Sequence, residues 1–219
     1  MQNATTLPIN DARAFLATMK VLTASSPAEG LWSLPFKDKL RVVKTLPLAE
    51  LQSLQKIKPY QQLRYWSTAP FRHGPKDVVK HTATPLPDNP AQPLQKNNPK
   101  GRQDELARHI NEDSTMSSFD FGVQFPDPER MTYWGKRHDA YFWTENASLG
   151  WKEAEAPFHM IGRLILLPKS QLSIDADAAT FIDVTGASTP DSTPVGSVNR
   201  ARQQGEIASR KARMRADKS

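Results

Sequence analysis

The hydrophobic pattern of the first quarter of the chain predicts helices. In the segment NDARAFLATMKVLTA, apolar residues recur at helical spacing behind an Asn/Asp cap. These residues are Ala12, Phe15, Leu16, Met19 and Leu22. A second helix is predicted from the Leu46-Pro47-Leu48 stretch through Leu51, Leu54 and Ile57, and Pro59 marks a break after it.

From Tyr60 onward the pattern changes to that of short strands. Four segments have β-branched, aromatic or leucine-rich content bounded by Pro or Gly: QQLRYWSTAP, DVVKHTATP, FDFGVQF and IGRLILLP. Between the second and the third, Pro85 to Gln103 is rich in proline and asparagine and predicts a surface loop, followed by a short helix, DELARHI. Helices on both sides of strands with long, unequal connections favour an α+β fold with a four-stranded antiparallel sheet.

Composition limits the classes of protein that the chain can belong to. The 219 residues contain no cysteine, which excludes disulfides, thiolate catalysis and cysteine-based metal sites. No apolar run approaches the roughly 20 residues that span a bilayer. The N-terminal stretch has neither the basic start nor the apolar centre of a signal peptide, so a cytoplasmic location without membrane attachment is expected.

The positive charge is concentrated near the C-terminus. The net charge is +6, and residues 196–219 hold seven Lys or Arg against two Asp or Glu, or +5. The remaining residues hold 22 against 21 and are nearly neutral. A general nucleic-acid-binding surface is therefore not supported, although a basic C-terminal helix that contacts phosphates stays an alternative.

Four common enzyme motifs are absent from the sequence. There is no GxGxxG, GxxxxGK[ST], GxSxG or HExxH pattern. The five histidines show no metal-ligand spacing and are interpreted as surface or packing residues: His73, His81, His109, His138 and His159. Aromatic residues between Tyr133 and Trp151 could stack on bases, but neighbouring glutamates make core or lid packing the better interpretation.

The pair Arg202 and Glu206 lies at i and i+4 of the predicted C-terminal helix, one turn apart on one face. Judged by this spacing alone, the two residues form a solvated ion pair that stabilises the helix by about 0.3–0.5 kcal/mol. A resemblance to known proteins gives it a second interpretation.

Five segments resemble, in the correct order, the later part of the catalase superfamily, in its small catalase-like branch. They are NATTLPINDARAFL, LRYWSTAPFRHGPKDVVKHTATP, FDFGVQF, TENASLGWKEAEAPFHMIGRLILLPKSQL and TPVGSVNRARQQGEIASRKAR. The last resembles the family pattern Pro-Leu-Gly-x-x-Asn-Arg-x-Arg-x-x-x-Tyr-x-x-Ser-x-x-x-Arg. The resemblance covers nearly the whole chain.

The resemblance implies a haem cofactor and hydrogen peroxide or an organic peroxide as substrate. Asn3 matches the catalytic asparagine that orients peroxide, and Phe15 matches a phenylalanine that stacks on haem. Arg202 matches the arginine that holds the proximal tyrosine as its anion, but the position of the tyrosine, which ligates the iron, is occupied by Glu206. Glu206 is then both the candidate metal ligand and a departure from the family.

The family's distal histidine lies on a strand upstream of every segment matched here. Its barrel has eight strands, of which this chain is expected to supply the later four. We therefore expect a single catalase-like domain over 1–219 that lacks its N-terminal portion. It comprises a helical segment at 1–58, barrel strands at 59–170, and a polar connection with a basic C-terminal helix at 171–219.

This implies a truncated or split catalase/peroxidase-type protein with weak or absent activity. The alternatives are a non-catalytic chain that completes a barrel with a second chain or a second copy, and a nucleic-acid-binding protein.

Overall fold

The structure is a computed structural model, and it describes residues 4–53, 57–95, 98–170 and 189–216. The chain begins with three helices: α1 (Ala12–Leu22), α2 (Pro27–Ser33) and α3 (Phe36–Ser53). Asp11 caps α1 by accepting a hydrogen bond from the backbone N–H of Ala14 at 2.8 Å. Apolar residues from the three helices pack together into a small core: Ala17, Val21, Leu34 and Val42.

The second predicted helix starts earlier than the sequence suggests. It begins at Phe36, ten residues before Leu46, and Pro47 lies in its interior rather than near its start. Proline removes one backbone donor but has a helical φ, so a helix that is held by packing can continue through it. The contact of Val42 with Val21 and Ala17 provides that packing.

A five-stranded antiparallel sheet follows the helices. Its strands are β1 (Tyr65–Trp66), β2 (Phe71–His73), β3 (Asp77–Pro85), β4 (Ser117–Gln124) and β5 (Phe158–Leu166). The strand order is β1-β3-β4-β5. Strand β2 stands outside this order and also pairs with β3. Each of the four predicted segments contains a strand, although the first is only two residues long, and the three-residue strand β2 was not predicted. The predicted barrel is not confirmed. The fold is thus mixed helix and antiparallel sheet, and the sheet is open.

The strand β5 forms one edge of the sheet and is poorly covered. Its large apolar side chains are about half exposed, including Met160, Ile161, Leu164 and Ile165. Only one side of β5 pairs with a strand of the described sheet, which is β4. The result is an unpaired strand edge with apolar residues on both faces.

Two further helices lie between strands. Helix α4 (Gly101–Glu112) begins three residues before Asp104, where the predicted helix starts. The loop after Pro85 is therefore shorter than expected. Helix α5 (Ala140–Glu145) was not predicted. Trp143 of α5 packs with Met131, Leu149, Trp151 and Ala156 in a second core.

Helix α6 (Ser197–Ala216) confirms the predicted C-terminal helix. Gly196, directly before it, has φ +89°, and a Cβ there would lie 2.9 Å from the carbonyl oxygen of Thr144. A residue with a side chain would therefore strain the junction. Asn199 is buried and donates to the backbone oxygens of Pro70 at 2.8 Å and Val195 at 3.0 Å, which fixes the first turn of α6 beside the sheet. None of the helices in the described ranges has the length and apolar character needed to cross a bilayer.

Candidate functional site

Three of the four residues predicted for a haem site lie on two helices that contact each other. Phe15 is on α1, Arg202 and Glu206 are on α6, and α1 lies against α6. The ring of Phe15 faces outward, with 41% of the residue exposed, while α1 buries Ala14 and Ala17 against the other helices. Asn3 lies outside the described residues.

Arg202 and Glu206 form the ion pair that their spacing predicts. Arg202 Nη2 donates to Glu206 Oε1 at 3.1 Å, and both side chains are partly exposed. The second carboxylate oxygen, Glu206 Oε2, is buried and accepts no hydrogen bond from the described part of the chain. A buried acceptor without a partner is uncommon because its loss of hydration is not compensated. Glu206 therefore holds one carboxylate oxygen against Arg202 and keeps the other out of solvent, without a partner among the described residues.

A second arginine of α6 lines a cleft. Arg200 donates to both carboxylate oxygens of Glu145 on α5, at 3.1 and 2.9 Å. The two side chains lie in an open cleft of about 790 Å³. Ser197 also lines it, and its hydroxyl is buried without a hydrogen-bond partner among the described residues. The cleft borders the start of α6, one turn before Arg202, and is lined by neither Arg202 nor Glu206.

The histidines lie on elements other than α1 and α6, and most pack against aromatic rings. His81 stacks on Phe121 with a separation of 5.6 Å between the ring centroids. Burial lowers the pKa of His81, and the nearby His73 lowers it further by a smaller amount. His138 stacks on Phe142 at 3.9 Å. These contacts agree with the interpretation of the histidines as packing residues.

His109 takes part in a Ser–His–Asp arrangement that the sequence analysis missed. His109 Nδ1 and Asp113 Oδ2 are 2.8 Å apart, and so are Ser117 Oγ and His109 Nε2. The hydrogen bond from Arg108, then that from His109, lowers the pKa of Asp113 to about 2. Ser117, however, has no exposed surface, so no substrate carbonyl can reach its hydroxyl. The arrangement joins the end of α4 to the start of β4 and is structural.

Lys80 is a second buried polar residue that was missed. Its Nζ donates to the backbone oxygen of Leu149 at 2.9 Å and lies 4.7 Å from the centroid of the Trp151 ring. No carboxylate of the described residues forms an ion pair with it, and burial lowers its pKa to about 7. Lys80 is therefore a buried amine that changes its protonation state near neutral pH.

The aromatic residues between 133 and 151 divide into two groups. Trp143 and Trp151 are core residues, as predicted. Trp134 and Tyr141 are 86% and 71% exposed, so these two are not core residues, and their packing as a lid stays a prediction. Trp134 has φ +51° in the tight turn that pairs Tyr133 with Lys136, and this turn directs its side chain away from the core.

The fold is similar to that of a solved catalase. Catalase A from Saccharomyces cerevisiae superposes with a TM-score of 0.64 at 14% sequence identity, over 94% of this chain. The chain spans 44% of the length of that catalase. No protein-family model and no curated protein sequence matches the chain. At this level of identity the similarity establishes the fold alone.

Proposed function

We propose that the chain is a catalase-like, haem-binding protein of peroxide metabolism with weak or no peroxide turnover of its own. The observation that carries the proposal is the position of the Arg202–Glu206 pair on α6, against α1 with Phe15, in a catalase-like fold. These are the three described positions that the family resemblance assigns to the haem pocket.

The residue types fit a haem group only in part. The exposed ring of Phe15 can stack on a porphyrin, whereas Glu206, a hard oxygen donor by type, holds its unpartnered Oε2 out of solvent. The haem ligands that proteins use are histidine, cysteine, methionine and tyrosine, and a carboxylate is shorter in reach than a phenol. The donor set therefore favours weak attachment without a tyrosinate ligand.

The chemistry of peroxide cleavage would come from the haem iron, and this chain contributes positioning. Arg202 holds one oxygen of Glu206, Phe15 provides a stacking surface, and Asn3 is proposed to orient the peroxide. Transfer of the peroxide proton requires an acid–base group, and none of the five histidines lies on α1 or α6. We therefore expect turnover by this chain to be slow or absent.

A haem titration of the purified chain with absorption spectroscopy tests the proposal. The wild-type chain should bind haem weakly without the spectrum of a tyrosinate-ligated ferric centre. Glu206→Tyr should produce that spectrum and raise the affinity for haem at least tenfold, since it places the phenol one turn from Arg202.

Glu145→Gln is the matched control, because it also removes a carboxylate from an arginine pair at α6. It should leave haem binding unchanged. Identical titrations of the wild type and Glu206→Tyr would show that the proximal site has been placed wrongly.

The unpaired edge of β5 favours one second candidate, a non-catalytic chain that completes a barrel with another chain. The nucleic-acid alternative is weaker because Arg200 and Arg202 are both held in ion pairs within the chain. The two candidates differ in their dependence on salt, since binding through arginines weakens steeply as salt rises and pairing of apolar strands does not.

A further inference from the structure

The outward side of α3 is apolar. Four large apolar residues recur within an arc of about 120° of the helix surface, and all four are exposed: Phe36, Leu40, Val43 and Leu46. The side of α3 that packs on α1 holds Val42, and Thr45 is buried with it. A helix of a globular protein normally turns its apolar stripe toward the core, so an apolar stripe that faces solvent indicates a binding surface.

Trp32 extends this surface onto helix α2. Gly30 of α2 packs so closely on α1 that a Cβ there would lie 2.8 Å from the Cα of Val21. Trp32 follows two positions later, about 200° around the helix, so its ring points away from α1. Trp32 is 77% exposed, and Phe36, the first residue of α3, is 74% exposed. These two rings and the exposed stripe of α3 form a convex surface, the α2–α3 ridge.

The charge beside this ridge is positive. Residues 32–47 contain four basic residues and one acidic residue. The acidic residue, Asp38, lies on the inner side of α3, where it accepts hydrogen bonds from Arg13 at 3.1 Å and from Arg41 at 2.6 Å. Its negative charge is therefore balanced by arginines and does not offset the lysines of the ridge.

Three lysines border the ridge: Lys37, Lys39 and Lys44. None of the ion pairs among the described residues includes any of them. Lys37 and Lys44 lie seven positions apart along one border of the apolar stripe. The Nζ of Lys39 lies 4.7 Å from the centroid of the Trp32 ring. The ridge thus combines exposed aromatic rings with ammonium groups that have no carboxylate partner.

This combination is typical of a helix that lies in the surface of an anionic bilayer. Such a helix buries one apolar face at the boundary of headgroups and acyl chains, with aromatic rings at that level and lysines at the lipid phosphates. Lysine suits this position because its stem packs on apolar groups while its ammonium stays in water. A bound peptide helix would instead need a groove, whereas the α2–α3 ridge protrudes.

We propose that the α2–α3 ridge binds the surface of a bilayer that contains anionic lipids. Trp32 and Phe36 insert at the boundary of headgroups and acyl chains, and the three lysines lie against the headgroups. Such a contact needs no spanning helix, so it differs from the expectation of no membrane attachment, which the absence of a spanning run and of a signal peptide suggested. It is independent of the haem proposal, because the ridge includes none of the residues assigned to the haem site.

Flotation of the full chain with lipid vesicles on a density gradient tests the proposal, because bound protein rises with the lipid while aggregated protein sinks. Vesicles of phosphatidylcholine and phosphatidylserine in a ratio of about 7 to 3 are compared with vesicles of phosphatidylcholine alone. We expect the affinity for the anionic vesicles to be at least about tenfold higher, since three lysines contact the charged surface.

Trp32→Ser and Phe36→Ser test the apolar part of the contact. Each should lower the affinity for the anionic vesicles at least about fivefold, because each removes an apolar ring from the bilayer boundary. Both positions are exposed, so the circular dichroism spectrum should stay that of wild type. Trp134→Ser is the matched control, at a tryptophan that is 86% exposed outside the ridge, and it should bind like wild type.

The double variant Lys37→Glu and Lys44→Glu tests the charged part. It should remove the preference for phosphatidylserine, because the border of the ridge then repels anionic headgroups. Lys76→Glu is its control, at an exposed lysine between β2 and β3, and should keep the preference.

Equal affinity for the two kinds of vesicle would overturn the proposal. So would binding to anionic vesicles that survives both Trp32→Ser and Phe36→Ser, since the basic helix α6 would then be the lipid contact. Absence of binding to either vesicle would also overturn it, and a dimer that Phe36→Ser dissociates would then identify a second copy of the chain as the occupant of the ridge. Haem binding should be the same in Phe36→Ser and in wild type, so failure of the haem proposal leaves this one unaffected.

Discussion

Lys80 links the stability of the fold to pH through a single side chain. Burial lowers its pKa from the ordinary 10.5 to about 7. Between these two values the unfolded chain binds a proton that the folded chain does not bind. The free energy of unfolding should therefore rise as pH increases from about 7 to about 10.5, with a slope of up to about 1.4 kcal/mol per pH unit from this group.

Lys80→Met should remove this dependence, because methionine keeps an unbranched apolar stem but has no proton to bind. Urea denaturation at about pH 7 and about pH 9 would show wild type gaining roughly 1–3 kcal/mol relative to the variant. Lys76→Met changes an exposed lysine of the same hairpin. Its free energy of unfolding should change with pH as that of wild type does. If the free energies of unfolding of wild type and Lys80→Met change equally with pH, the pKa of Lys80 is not lowered in the folded chain.

At the level of single residues, the sequence predicts only those interactions that lie within one element. Arg202 and Glu206 are four residues apart on one helix, so their ion pair could be predicted. The contact of Lys80 with Leu149 spans 69 positions, and the direction of Lys80 depends on the register of β3 with β4. His109 and Asp113 have helical spacing, but Ser117 completes the arrangement from the next strand.

Among the secondary-structure elements, α6 depends on a glycine at its start. Gly196→Ala should destabilise the protein by about 1–3 kcal/mol, because alanine disfavours the positive φ and its Cβ would contact the oxygen of Thr144. Gly205→Ala is the matched substitution inside α6, where a Cβ meets no atom within 4 Å, and it should stabilise the protein by roughly 0.5–1 kcal/mol.

Urea unfolding followed by far-ultraviolet circular dichroism measures both substitutions. Opposite signs for the two glycines are expected. A stabilising effect of Gly196→Ala would mean that α6 does not dock through this junction in solution.

The elements were predicted well where proline or glycine limits them and less well elsewhere. Strand β3 ends on Pro85, and Pro168 lies two residues after the end of β5, so the sequence marks where both strands stop. Strand β2 has three residues, which is too few for the alternation of apolar and polar residues to be visible in the sequence. Helix α3 was placed too late because Pro47 is usually a boundary, and only its packing shows that it is not.

For the molecule as a whole, the unpaired edge of β5 is where we expect a second copy of the chain to bind. Its free backbone groups and half-exposed apolar side chains can pair with a second copy of the same strand. We expect the chain to associate at raised concentration, and Ile165→Lys should reduce that association, because a charge on an edge strand opposes edge-to-edge pairing.

Light scattering over a concentration series measures the effect. Leu22→Lys, at an exposed leucine of α1, is the control and should associate like wild type. A wild-type chain that stays monomeric and melts cooperatively would contradict the proposal that these strands are half of a barrel.

The attachment of α6 to the sheet also sets an order of events during synthesis. Asn199 reaches Pro70 across 129 positions, and the backbone N–H groups of Arg72 and Gly74 bond to the oxygens of Thr193 and Asp191. Until the ribosome has released those later residues, the outer side of β2 has no partner. A nascent chain therefore carries two unpaired sheet edges, at β2 and at β5, and closing so long a loop is slow. The interval before α6 arrives is when this protein would most need a chaperone.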